Sequence, residues 1–339
     1  MQETIKELAA HCAAFRAPNS LRAISQILTT TAPFLILCAA MYLTIDVSYW
    51  ITLALAVPTG GLVIRFFIIQ HDCGHGSFFT SKTANDLTGR ILSVLTITPY
   101  AYWRRAHALH HASSANLDRR GIGDISTLTV AEYTALPPLK RLGYRIYRNP
   151  LFLLLVGGPA YFLVLQRLPL TLRVPAKEMW TSVLTLDAAM VVVYGAAVYF
   201  IGWTDFLLMF APVIAISSIA GVWMFYVQHQ FEETHWEKSE NWDRKTAAVL
   251  GSSYYVLPRV LQWFTGNIGL HHIHHLCSQI PNYRLQECLD SHPILPTINR
   301  LTFWQSLKTA RLALWCEERK KLVAFSARHY VPVPVRVAA

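Results

Sequence analysis

The sequence predicts an all-α integral membrane protein. Four transmembrane helices pair into two hairpins, interfacial helices lie beside them, and a histidine-rich cap covers the cytoplasmic face. Three observations carry this prediction. Hydrophobic residues make up 53% of the 339 and charged residues only 15%, well under the roughly 25% charged share of soluble domains. The apolar residues collect in runs long enough to cross a bilayer, and histidines cluster at the ends of those runs. The length would allow about two soluble domains, but the long runs favour one membrane domain over residues 1–339.

A crossing helix needs about 20 mostly apolar residues. Segments 24–45, 50–70, 183–202 and 206–227 qualify, and the links within each pair, 46–49 and 203–205, contain no Lys or Arg. Basic residues crowd the remaining segments: Lys6, Arg16 and Arg22; Arg104, Arg105, Arg119 and Arg120; Lys140, Arg141, Arg145 and Arg148. The positive-inside rule therefore places both termini and the long loops in the cytoplasm, as in a bacterial inner-membrane protein. The net charge of +10 reads as basic surface beside anionic lipid rather than as nucleic-acid binding.

Segment 151–166 is apolar but short, with Gly157-Gly158-Pro159 in its middle. A crossing there would put the histidines before and after it on opposite sides of the membrane. It reads as a re-entrant or interfacial helix. Segment 91–100 is too short to cross and reads as a surface element. Residues 1–22 are polar and of mixed charge, which argues against a cleavable signal. The six cysteines, at 12, 38, 73, 277, 288 and 316, form no CxxC pair, so neither a disulfide framework nor a zinc knuckle is expected. The tail, 322–339, carries Val-Pro-Val-Pro-Val and reads as an extended strap or a disordered end.

The histidines carry the chemistry. His71 and His75 are spaced i, i+4. His107, His110 and His111 are spaced i, i+3, i+4, as are His271, His274 and His275. On a helix such residues share a face, so each group aims two or three imidazoles toward one point. His229 stands alone at the end of the fourth run, with His235 a little further on. His272 points about 100° away from His271 and is left out of the ligand set. With 14 histidines in 339 residues, about 0.02 H-x-x-H-H matches are expected by chance, and two occur. A lone histidine is usually a satisfied polar residue of the core, which is the reading for His11, His292 and His329. Eight or nine imidazoles exceed one tetrahedral zinc site and suit two first-row metals. Imidazole binds Zn, Cu, Fe and Ni alike, so ligand type does not choose among them.

The H-x-x-x-H, H-x-x-H-H, H-x-x-H-H series with two apolar hairpins resembles the membrane fatty-acid desaturase family over about residues 50–284. The block His71-Asp72-Cys73-Gly74-His75-Gly76-Ser77-Phe78-Phe79 and the phrase Gln228-His229-Gln230-Phe231-Glu232 resemble its acyl-lipid branch, which includes Δ12/ω-6 desaturases. The resemblance implies a di-iron centre with His229 as the ninth histidine ligand, O₂ as co-substrate, a fatty-acyl lipid as substrate, and ferredoxin or a similar external electron donor. In the acyl-CoA branch an Asn four residues before that histidine reaches one iron through water. Phe225 holds that position here, so that detail does not carry over.

Removing hydrogen from an unactivated alkyl chain needs an oxidant that side chains cannot supply. Carboxylates beside the ligands can hold the far ring N–H of an imidazole. Asp72 and Glu232 stand nearest in sequence, with Asp118, Asp124 and Glu233 as further candidates. Asn267 is read as reaching the metal through water or as capping a helix, and His235 as an outer neighbour. Phe78, Phe79, Tyr102, Trp103, Trp223, Tyr226 and Trp263 are candidate linings for an acyl tunnel. Trp103, Arg104 and Arg105 could instead hold a lipid phosphate, although ordinary positive-inside charge explains the arginines. A di-iron hydroxylase or ketolase of alkane, lipid or carotenoid is the alternative. A metal transporter fits less well, because the four spans are nearly free of ionisable groups apart from Arg65 and Asp187.

Overall fold

The computed structural model describes residues 2–121, 123–168 and 174–326. Helix α1 covers Gln2–Ala13, α2 Ser20–Thr44, α3 Tyr49–His75, α4 Lys82–Thr96 and α5 Tyr100–Ser113. Among the described residues, five helical stretches are long and apolar enough to cross a membrane: α2, α3, Pro150–Arg167, Ala176–Ile201 and Trp203–His229.

Helices α3 and Trp203–His229 run past their apolar stretches, and these extensions bear histidines. Helix α3 continues through His71 and His75 and stops where Gly76 adopts φ +69°. That left-handed cap suits glycine, and its N–H closes on the carbonyls of Asp72 and Cys73. Away from the histidines, α2, α3 and Trp203–His229 share a core of Met41, Ala56, Val63 and Val213. At this crossing a Cβ on Gly60 would lie 2.9 Å from Ile216 Cγ2, so glycine permits the close approach.

The Pro150–Arg167 stretch is broken. Helix Pro150–Phe152 passes into a π-turn over Leu153–Gly157, then helix Gly158–Leu163 and a 3₁₀ turn at Leu165–Arg167. The break falls at Gly157-Gly158-Pro159, where proline removes a backbone donor. Helix α4 lies along the bundle with Leu87 and Ile91 exposed and Asn85, Gly89 and Leu92 buried.

The all-α expectation needs correction. Leu312–Cys316 pairs in parallel with Leu128–Thr129 and antiparallel with Lys321–Ala324, and Tyr254–Val256 pairs in parallel with Arg300–Thr302. Apolar runs of four or five residues carry no period that separates strand from buried helix. The start of the segment read as a tail strap is thus an edge strand, with Leu322 and Val323 buried. Val-Pro-Val-Pro-Val and His329 lie outside the described residues.

Candidate metal centre

Four elements deliver nine histidines to one buried place. Helix α3 brings His71 and His75 on its last turns, α5 brings His107, His110 and His111, and Trp203–His229 ends on His229. The short buried helix His271–Leu276 brings His271, His274 and His275. These imidazoles sort into two groups, within each of which the potential ligand atoms lie within 4.8 Å of one another. One group is His71, His75, His107, His111 and His274, and the other is His110, His229, His271 and His275. The groups adjoin, with the rings of His111 and His275 stacked 4.1 Å apart.

The two H-x-x-H-H boxes are divided between the groups in the same way. In each box the i and i+4 residues go together and the i+3 residue goes to the other group. At 100° per residue, i+4 lies 40° to one side of i and i+3 lies 60° to the other. Two box helices facing each other therefore exchange one imidazole each.

The spacing of the nitrogens fits metal ions. His107 Nε2 lies 3.1 Å from both His75 Nε2 and His111 Nε2, His274 Nε2 lies 3.1 Å from His111 Nε2, and His271 Nε2 lies 3.0 Å from His229 Nε2. Nitrogens about 2.1 Å from a first-row metal and at right angles to each other stand about 3.0 Å apart. Such a row of ring nitrogens holds too few protons to satisfy itself, and the Nε2 atoms of His110 and His275 are buried with no partner among the described residues. Burial first, and then the neighbouring imidazoles, hold His107, His111, His271, His274 and His275 well below the ordinary histidine value. The rings therefore stay neutral with lone pairs available, the form that binds metal.

One histidine in each group is fixed by a carboxylate. His71 Nδ1 donates to Asp72 Oδ1 at 3.0 Å, and His110 Nδ1 to Asp124 Oδ1 at 2.6 Å. Either bond sets the tautomer that leaves Nε2 free. His229 Nδ1 donates to the carbonyl of Gly251 at 3.0 Å. Asp72 is held in turn by the backbone N–H and side-chain amide of Asn282, at 2.6 and 2.8 Å. His272, outside both groups, donates to the carbonyl of Leu295 at 3.0 Å.

Other candidates lie elsewhere. Glu232 is at the surface, paired with Lys321 at 3.1 Å, because the helix ends at His229 and the chain turns outward. Glu233 points to the same lysine, and Asp118 accepts from the N–H of Ser239. His235 is partly buried beside Glu237 and Lys320. Asn267, at φ +59°, donates its side-chain amide to the carbonyl of Asn282 at 3.3 Å.

Of the aromatic candidates, Trp103 is closest, stacked on His107 at 4.7 Å. Tyr102 packs with Val174, Met179 and Val183. Phe78 and Phe79 join a core with Phe66 and Tyr100 on the α2 side. Trp223 stacks on Tyr226, whose hydroxyl donates to the carbonyls of Thr309 and Leu312. Trp263 covers the Arg65 guanidinium at 4.2 Å. Sequence reasoning missed Phe67 and Phe162, which extend the Trp103 wall edge to face at 5.3 and 6.1 Å. It also missed Asn282, which no local motif marks. Phe225 packs against both His110 and His229 at 5.5 Å.

Apolar helices that close on a buried nest of neutral imidazoles define a helical protein with a histidine-built metal site. Residues 48–306 match the family model described as fatty acid desaturase, so the chain belongs to that family and is an oxidoreductase. It is 44% identical to a fatty acid desaturase of Bacillus subtilis, covering 97% of this chain and 93% of that protein. It is 26% identical to an sn-1 oleoyl-lipid 12-desaturase of Synechocystis, over 84% of this chain and 79% of that one. A ferredoxin-linked sn-1 acyl-lipid omega-3 desaturase of Synechocystis is 28% identical, over 73% and 70%.

Proposed function

We propose that this chain places a cis double bond in fatty-acyl chains carried on membrane lipids, with Δ12/ω-6-like regiochemistry. In this reading His71, His75, His107, His111 and His274 hold one iron, and His110, His229, His271 and His275 hold a second. The division of both boxes between two carboxylate-anchored groups is the observation that carries it. The bound irons supply the reduction of O₂, chemistry that no side chain offers. The overall balance is CH₂–CH₂ plus O₂, two electrons and two protons, giving CH=CH and two waters. Acyl-lipid and ferredoxin in the relatives' names support a glycerolipid substrate and a ferredoxin-type donor.

The chain's own groups do the rest. Asp72 and Asp124 keep the Nδ1 protons of His71 and His110 in place, so those ligands do not rotate. Trp103, Phe67 and Phe162 form an apolar wall beside His107 that suits an alkyl chain and excludes water. In the same reading the four spans form two hairpins in a bacterial inner membrane, and the histidine cap faces the cytoplasm.

The test is a fatty-acid methyl-ester profile, by gas chromatography–mass spectrometry, of a bacterial host expressing the wild type or His110→Ala. A new unsaturated acid should appear with the wild type and vanish with the variant, and its double-bond position reports the regiochemistry. A new hydroxylated or ketonic lipid in place of a double bond would overturn desaturation.

A further inference from the structure

A cavity of about 610 Å³ opens on the α2 side of α3. Its size falls within the usual range of ligand sites. The first turns of α2, the middle of α3, helix Arg259–Phe264 and helix Asn282–Asp290 surround it. It is separate from the aromatic wall beside His107, which involves α5 and the broken helix.

Its chemistry is that of an anion site. Arg65 is 8% exposed in the apolar stretch of α3 and has no carboxylate partner among the described residues. Its Nε donates to Thr30 Oγ1 at 3.1 Å, its Nη1 donates to the carbonyl of Trp263, and its plane lies over the Trp263 ring. That leaves Nη2 without a protein partner among the described residues. A buried arginine without an ion-pair partner near the end of a span marks a functional position. Arg259, on the opposite wall, is exposed and forms no ion pair among the described residues. Arg22 is neutralised by Glu287, and Asp290 accepts from Gln286 Nε2 at 2.8 Å. The neutral Gln286 amide does not offset the Asp290 carboxylate, so Arg65 and Arg259 together leave the cavity one net positive charge, enough for one phosphodiester, and the hydroxyl of Ser25 and side-chain amide of Gln262, without partners among the described residues, lie beside them.

The rim distinguishes a lipid from a free ion. Leu21, Ile24 and Leu28 on α2, and Val260 and Leu261 on the opposite helix, are 42–77% exposed. Basic heads with apolar residues beside them are how a protein meets the headgroup layer. We propose that this cavity binds the phosphodiester headgroup of an anionic phospholipid, with Arg65 and Arg259 on the phosphate and the acyl tails along the α2 rim. The floor of the site is continuous with the metal centre, because Gln26 Nε2 donates to Asn282 Oδ1 at 2.9 Å and Asn282 holds Asp72. This proposal stands independently of the reaction the chain catalyses.

The experiment is native mass spectrometry of the detergent-purified full chain, titrated with dioleoyl phosphatidylglycerol, dioleoylglycerol or inorganic phosphate. The wild type should retain one more phosphatidylglycerol than dioleoylglycerol, because either oleoyl lipid can also enter the acyl tunnel beside His107. Arg65→Gln and Arg259→Gln should each weaken retention about tenfold or more, as expected for a lost charge-assisted contact. Arg259 is exposed, so its variant decides the matter if Arg65→Gln does not fold. Equal retention by wild type and Arg259→Gln would overturn the site. Displacement of the lipid by equimolar inorganic phosphate would make it a free-phosphate site, and equal retention of dioleoylglycerol would leave only an apolar surface.

Discussion

At the scale of single residues, ring nitrogens near 3 Å from one another depend on the groups behind them. Asp72 braces His71 in one group and Asp124 braces His110 in the other. Loss of such an outer partner typically lowers metal affinity 10- to 100-fold, roughly. Asp72→Asn should therefore loosen the five-histidine group and Asp124→Asn the four-histidine group, each leaving the other occupied. Metal content after graded chelator dialysis checks this, with about half the metal lost early in either variant; equal loss from both groups would mean that they do not act separately. Spacing in the sequence groups eight of the nine histidines, but it does not show that His110 and His274 leave their own boxes. That exchange depends on two short helices facing each other, and spacing within one helix carries no information about its neighbour. Glu232 shows the same limit, since closeness in sequence to His229 did not survive the turn after the helix end.

At the scale of elements, the long apolar helices are legible because their length and composition have few alternatives. The Pro150–Arg167 break is marked by Gly157-Gly158-Pro159, but the short strands depend on tertiary partners and are not legible. The strand Tyr254–Val256 is a case in point. Its Tyr255 N–H donates to the Gly269 carbonyl at 2.7 Å, two residues before His271. A Cβ on Gly269 would lie 2.6 Å from the Tyr255 carbonyl oxygen, which is backbone and has no rotamer to escape into. Gly269→Ala should therefore displace the His271–Leu276 helix and cost about 1–3 kcal/mol, the usual range for overpacking. A lowered thermal midpoint together with reduced bound metal is the expected outcome. A midpoint unchanged from wild type would show that the strand yields without moving the histidines.

At the scale of the whole molecule, the meeting of all nine histidines constrains the topology. His111 precedes the broken helix, and His229 ends the hairpin that follows it. The hairpin goes out along Ala176–Ile201 and back along Trp203–His229, so it starts on the side where it ends. In the proposed four-span reading, residues 114 and 176 share the histidine side and Pro150–Arg167 makes no net crossing, although it is apolar enough to span. Its π-turn and Gly158, whose Cβ would lie 3.2 Å from the Ser218 carbonyl, suit a helix that enters, packs and returns. Single cysteines at Val47, Lys140, Lys177 and Thr204, all exposed in the fold, test this in a variant lacking the native cysteines. In intact bacterial spheroplasts an impermeant maleimide should label positions 47 and 204, at the hairpin tips. Positions 140 and 177 should react only after the membrane is opened, as the positive-inside rule expects of basic loops. Opposite accessibility of 140 and 177 would require a fifth crossing, and the parity that joins the two halves of the metal centre would then fail.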